Sequence, residues 1–440
     1  MAMRDQPAPE RRFPDDFLFG CASAAHQVEG GLDNDWTAFE DAHPDRIKDG
    51  SRSGIACDHY NRYREDFNTL GALGQNAHRF SVEWSRIEPH EGHFDIGELR
   101  HYRDVVRACH AAGMQPCVTL HHFTLPRWLA EQGGILNPRT PRLFARFAAA
   151  VAEVLVDDVE WWITINEPIV VAILGYLNGE WPPMHTSLPD AMRAFAQLLR
   201  MHAAAAQALR KVANRHGASV RVSIAHHERR LVPENPSSVA NRVLAMLPDY
   251  LFNRWFLDSC SSGRVLPPVG WGQSVPGLKD SLDYIGVNYY TRDRVRVSRS
   301  SSRTLFVDPV EPTEGPLSTF KWRIDPEGLR IAVGDLWHRF HLPLLITENG
   351  VADENDELRG EYIIDHCNAM LDALEDGVDL RGYFHWTAMD NFEWAEGYGQ
   401  RFGLFSVDRA TMARTAKPSA LIFAEICGTG HVPVADRRPA

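Results

Sequence analysis

At 440 residues, 44% hydrophobic and 24% charged, the chain has enough apolar material for a sizeable core, and it could hold one large barrel or two to three ordinary domains. A formal net charge of −12 argues against nucleic acid or an anionic membrane as the main partner. No run approaches the length of a membrane span, and the charged, proline-containing start lacks the apolar stretch of a secretory signal.

After a short N-terminal segment expected to be extended or disordered, the first apolar run is FLFGCAS from Phe17. The stretch HYNRYREDFNTLGALG then sets Tyr60, Tyr63, Phe67 and Leu70 on one helical face and ends at glycine. A second run, NAHRFSVEW around Arg79, precedes ELRHYRDVVRACHAAG, whose Leu99, Tyr102, Val106 and Cys109 form another helical face, again closed by glycine. The third run is QPCVTLHH around Thr119. In the fourth, WWITINEP, bulky aromatic and β-branched residues favour a strand, and Pro168 cannot donate to a sheet ladder, so the strand ends there. Glu167 therefore sits at a strand tip, and the following proline predicts an extended backbone for it. LNGEWPPMHTSLPD follows as a polar loop, then RVSIAHH near Ile224 and DYIGVNYY near Val287. SRSSSRTLFVDPVEPTEGP reads as a long loop before PLLITENG near Ile346, which delivers Glu348 to the same kind of tip, and RGYFHWTAMD near Phe384 is the eighth run.

Short apolar runs alternating with helical stretches are the pattern of repeated β-α units. Eight of them, with no flexible linker, predict one α/β domain over 1–440, a single eight-stranded parallel (β/α)8 barrel with its active site at the C-terminal strand ends. In such a barrel the tips of the fourth and seventh strands converge on the mouth. One acid at a strand tip is ordinary; two brought together suit glycosidic bond cleavage, in which one carboxyl protonates the departing oxygen while the other attacks or activates water. Seven cysteines, odd in number and without C-x-x-C spacing, suit a reducing compartment, so a cytoplasmic location is expected. Cys117 reads as a small buried hydrophobe.

TINEP and ITENG resemble the acid/base and nucleophile motifs of glycoside hydrolase family 1, the β-glucosidase and β-galactosidase family. The resemblance runs in order through FLFGCASAAHQVEG, RFSVEWSRIEP, TLHHFTLPRWL, DYIGVNYYT and WTAMDNFEWAEGYGQRFG, and so covers nearly the whole chain. It implies a retaining β-glycosidase acting on terminal β-glucosyl, β-galactosyl or β-fucosyl groups of small glycosides and short oligosaccharides, with no cofactor. By position it implies Glu167 as general acid/base and Glu348 as nucleophile. Gln27, His122, Asn166, Glu393 and Trp394 are implied sugar binders, Trp386 and Phe402 apolar faces for the ring. Arg79, Asn288 and Tyr290 are implied supports of the nucleophile, Tyr290 also lining the sugar site. A cation and a phenol beside Glu348 should favour its ionised form, and its charge should raise Glu167.

Three positions depart from the family pattern. Phe123 stands where tryptophan is common, His227 where a strand-five asparagine is expected, and Glu83 replaces a smaller residue, with an arginine as its expected partner. His226 and His227 are adjacent, so on a strand they face opposite ways, as do His121 and His122; neither pair can chelate one metal. Two other functions remain open on the sequence: a transglycosylase using the same intermediate, and an inactive sugar-binding barrel, although the latter would have kept both glutamates. Oligomeric state is not legible.

Overall fold

The computed structural model describes residues 11–235, 237–297, 307–312 and 315–433. The expected N-terminal segment lies largely outside these residues, as does most of the loop expected over 298–316.

All eight apolar runs are strands of one closed, all-parallel barrel: β1 Leu18–Ala22, β2 Ala77–Ser81, β3 Gln115–His121, β4 Trp161–Asn166, β5 Arg221–Glu228, β6 Ile285–Tyr289, β7 Leu344–Asn349 and β8 Leu380–Trp386. Each pairs with its sequence neighbours, and β1 closes the ring against both β8 and β2. The strands read as unbroken apolar runs because both faces are covered, the inner by the barrel filling and the outer by helices. One contiguous cluster of buried apolar side chains runs from Phe13 to Ile426.

The helix His59–Ala72 buries His59, Tyr63, Asp66, Phe67 and Leu70, and Gly74 follows it at φ 78°. Tyr60 lies at the edge of that face, its ring stacked 3.8 Å from His101 and 4.1 Å under the Arg86 guanidinium. The helix Ile96–Ala111 starts at Asp95, whose carboxylate accepts from the Gly97 and Glu98 amides, and buries Leu99, Tyr102, Val106 and Cys109.

Two features were not foreseen. The helix Leu188–His216 spans 29 residues. A three-stranded sheet of Leu231–Pro233, Asp293–Val297 and Val307–Val310 stands outside the barrel, so part of the expected 298–316 loop is strand.

Candidate active site

The tip of β4 departs from the expected extended backbone: Glu167 takes φ 44° and ψ 61°. Asn166 is the last strand residue and Pro168 already begins the short helix Pro168–Ala172, so the chain must reverse within Glu167. Proline is preset for a first helical position and bars right-handed helical backbone before it, so the turn is made in the left-handed region. That conformation costs about 1–3 kcal/mol, and it is held by the Glu167 amide donating to the Ala225 carbonyl at 2.8 Å. On β7 the register against β6 pairs Ile346 with Val287 but Glu348 with Asn288, leaving Thr347 as an extra residue. This bulge re-aims Glu348 at the mouth.

Arg79, on β2, crosses the barrel to join the two tips. One guanidinium nitrogen donates to Glu348 Oε1 at 2.7 Å, the other to Asn166 Oδ1 at 2.6 Å. Tyr290 donates its hydroxyl to Glu348 Oε2 at 2.6 Å. Asn288 Nδ2 donates to Asn166 Oδ1 at 3.1 Å and to Glu167 Oε1 at 2.7 Å, and its own carbonyl accepts from Thr347 at 2.7 Å. Asn288 thus holds Glu167, not Glu348 as the family pattern implied. His227 Nδ1 also meets Glu167 Oε1, at 2.8 Å. Every member of this network is buried, so each hydrogen bond acts with little competition from water.

The electrostatics correct a second expectation. Burial pushes Glu348 up, to about 7, and the Glu167 charge adds to the rise against the downward pull of Arg79 and Tyr290. Burial also raises Glu167, but the charge and hydrogen bond of His227, with Asn288 and Arg79, outweigh it and hold that carboxyl below its ordinary range. The reversal comes from His227, a cation when protonated and a partner to which the sequence assigned no role. Against the rise of Glu348 stand the Arg79 guanidinium and the Tyr290 hydroxyl, both bonded to its carboxylate and both favouring its ionised form.

A cavity of about 340 Å³ opens over the pair, lined among others by His122, Glu167, Tyr290, Glu348, Trp386, Glu393, Trp394 and Phe402. Gln27 lies beneath it, donating to the Phe392 carbonyl at 3.0 Å and Glu393 Oε2 at 3.1 Å. Asn166 Nδ2 meets His122 Nε2 at 3.3 Å. Gln27 Oε1 and His122 Nδ1 are buried without a protein partner. Burial and the Glu348 charge push Glu393 up to about 8 against the bonds from Gln27 and Trp386. All twelve residues singled out in the sequence therefore gather at one mouth.

Of the departures, Phe123 sits between Trp181 at 4.9 Å and Trp394 at 5.2 Å, with φ 73°. Glu83 has no arginine: its carboxylate accepts from Ser85 Oγ at 2.8 Å and Thr124 Oγ1 at 3.0 Å, because the nearby Arg86 is taken by Glu29. His226 turns away from His227 to meet the Asn253 carbonyl at 3.0 Å. Among the described residues no three His, Cys, Asp or Glu side chains are grouped to hold a metal. The sequence reading missed His227 as a partner of Glu167. The register could have revealed it: His227 lies opposite Asn288, so both point inward.

The profile of glycosyl hydrolase family 1 matches residues 9–431. Beta-glucosidase A of Thermotoga maritima is 31% identical over 444 residues, covering 94% of this chain and 98% of that protein. The structure of a beta-glycosidase from Pyrococcus horikoshii superposes with a TM-score of 0.89 at 37% identity, covering 97% of each chain. A Thermotoga maritima beta-glucosidase in complex with glucoimidazole gives a TM-score of 0.90 at 30% identity over 96% of this chain and all of the other. With a barrel of this order and a family match across nearly its whole length, the chain belongs to glycosyl hydrolase family 1.

Proposed function

We propose that this glycosyl hydrolase is a retaining β-glycosidase that releases terminal non-reducing β-D-glucosyl groups, and related β-galactosyl or β-fucosyl groups, from small glycosides and short oligosaccharides. The observation that carries the reading is the unequal anchoring of two buried glutamates at one mouth. Glu348 is held by a permanent cation and a phenol, Glu167 by an amide and an imidazole.

In the first step a Glu348 oxygen forms a bond to the anomeric carbon as the glycosidic C–O bond breaks, and Glu167 gives its proton to the departing oxygen. Glu348 is then an ester, its charge gone, and Glu167 is ionised. In the second step Glu167 takes a proton from water, whose oxygen attacks the anomeric carbon and returns Glu348 as carboxylate. Two inversions restore the starting configuration. Arg79 and Tyr290 are assigned to steadying Glu348, Asn288 and His227 to Glu167.

Sugar binding falls to Gln27, His122, Asn166, Tyr290, Glu393 and Trp394, with Trp386 and Phe402 offering apolar faces to the ring. The unpartnered Gln27 Oε1 and His122 Nδ1 support this, because buried polar atoms are costly unless a ligand's hydroxyls meet them. The glucoimidazole complex of the Thermotoga relative supports a glucose-like ligand. We assign the chain one catalytic unit and, on its seven free cysteines, a cytoplasmic place. NMR of the first-formed sugar tests the reading: a β-aryl glucoside should yield β-glucose before mutarotation, and an initial α-anomer would contradict it.

A further inference from the structure

Beside the catalytic cavity lies a second groove of about 500 Å³, and the two share Arg229, Phe320 and Trp322 as a common wall. Its charge runs against that of the chain. Arg229, Arg292, Arg294, Lys321 and Arg323 line it, against the acids Asp293, Glu311 and Asp325, whereas the whole protein carries −12. Two of these cations are firmly spoken for. Arg292 Nη2 donates to Asp325 Oδ1 at 2.8 Å, and Arg229 Nη2 to Asp293 Oδ1 at 3.0 Å. Lys321 and Glu311 approach at 3.5 Å, both largely exposed, a pair held weakly in water. The Arg294 guanidinium meets a neutral carbonyl, that of Glu234, at 3.3 Å. Among the described residues no acid is paired with Arg323.

The groove's position relative to the chemistry follows from β5. That strand ends in His227, which touches Glu167, and Arg229 comes two residues later at the rim. The general acid must face the leaving oxygen, so the leaving group departs on the Glu167 side, toward Arg229 and the wall behind it. That wall is aromatic: Phe320 and Trp322 stack on one another at 4.6 Å with 19° between their planes, and the Arg229 guanidinium lies 5.0 Å over the Trp322 ring, so the pair offers ring edges. An aromatic group can pack against such edges in a T-shaped contact. The catalytic cavity itself is also lined by Glu180 and by Glu396, the latter paired with Lys48 at 2.6 Å.

We propose that the leaving-group side of this site takes aglycones that carry an anionic group on a flat, aromatic frame, such as aromatic carboxylic acids joined to the sugar through a phenolic oxygen. The frame packs against the edges of Phe320 and Trp322, and the anion faces Arg294 and Arg323, for which no acid partner stands among the described residues. The hydrolysis itself is unchanged; its second product is a hydroxylated aromatic acid. This rests on the reading of Glu167 as the general acid.

The test compares kcat/KM for 4-carboxyphenyl β-glucoside with that for its neutral 4-carbamoylphenyl isostere, and repeats the comparison with a vinyl spacer between ring and acid or amide. The amide is the better leaving group, so intrinsic reactivity works against the expected result. At low ionic strength the acid should be preferred on the order of three- to tenfold in at least one pair, the size of effect that exposed cations exert on an anion in water. Added salt should shrink the preference, and R294Q/R323Q should remove it. Equal rates or an amide preference in both pairs would overturn the proposal, as would an acid preference that survives the double variant. In either case hydrolysis of both substrates leaves the glycosidase reading standing. Failure to cleave any of the four would contradict that reading, and the proposal with it.

Discussion

Replacing His227 with phenylalanine removes one of the two hydrogen bonds to Glu167 Oε1 and leaves the Asn288 bond in place. Both partners are 8% exposed, so little water is present to substitute for the lost donor. A hydrogen bond to a charged group is worth about 1.5–3 kcal/mol, and this one favours the ionised carboxylate over the protonated acid. Its loss therefore lets Glu167 keep its proton to higher pH. At about 1.4 kcal/mol per tenfold, the alkaline limb of kcat/KM should move up by about one to two pH units. His227→Asn, which restores a neutral donor without a titratable ring, should fall between wild type and His227→Phe. The assay is a pH profile of kcat/KM on an aryl β-glucoside for the three proteins. A merely structural role would lower the plateau without moving the limb. An unmoved limb, or one that falls, would refute the assignment of His227 to Glu167.

Glu167→Ala should lose on the order of 10²- to 10⁴-fold on cellobiose but still form the glycosyl-enzyme rapidly from a dinitrophenyl glucoside, giving a burst, and azide should rescue turnover as the β-glycosyl azide; equal losses on both substrates with no azide response would remove its role. 6-Phospho-β-glucosides should be cleaved far less well than the parent glucosides, because the sugar end presents Glu393 and neutral groups rather than cations, and a higher kcat/KM for the phosphate would show the reasoning to be wrong. Gly350→Ala should abolish soluble, active protein, since a β-carbon there would stand 1.9 Å from the Trp386 carbonyl oxygen; a folded variant with wild-type activity would show that the β7–β8 contact yields more easily than backbone packing suggests.

The glycine prediction also shows why some features could be read in advance. Strand runs such as WWITIN and PLLITEN were legible because both faces of a barrel strand are buried, so the apolar signal survives in one dimension. The gathering of Glu167 and Glu348 followed from topology alone. What depends on partners distant in sequence was not legible. Glu83 lost its expected arginine because Glu29, 57 residues before Arg86, holds it. Asn288 stands opposite Glu348 in the register, yet its amide donates to Glu167 on a different strand tip, a choice that only the side-chain placement shows. The left-handed backbone of Glu167 arises because strand and helix meet with no loop between them, which local proline rules do not foresee. His227 was visible as a departure, but its consequence for the protonation of the glutamates needed the 2.8 Å contact.

The central claim is the division of labour between the two glutamates. Incubation with an activated 2-deoxy-2-fluoro-β-glucoside, followed by peptide mapping of the trapped enzyme, tests it most directly. The electron-withdrawing fluorine slows both steps, while the good leaving group lets the first proceed, so a glycosyl ester should accumulate on Glu348 with one equivalent of released phenol. An adduct on Glu167, or steady release of phenol with no adduct anywhere, would contradict the account.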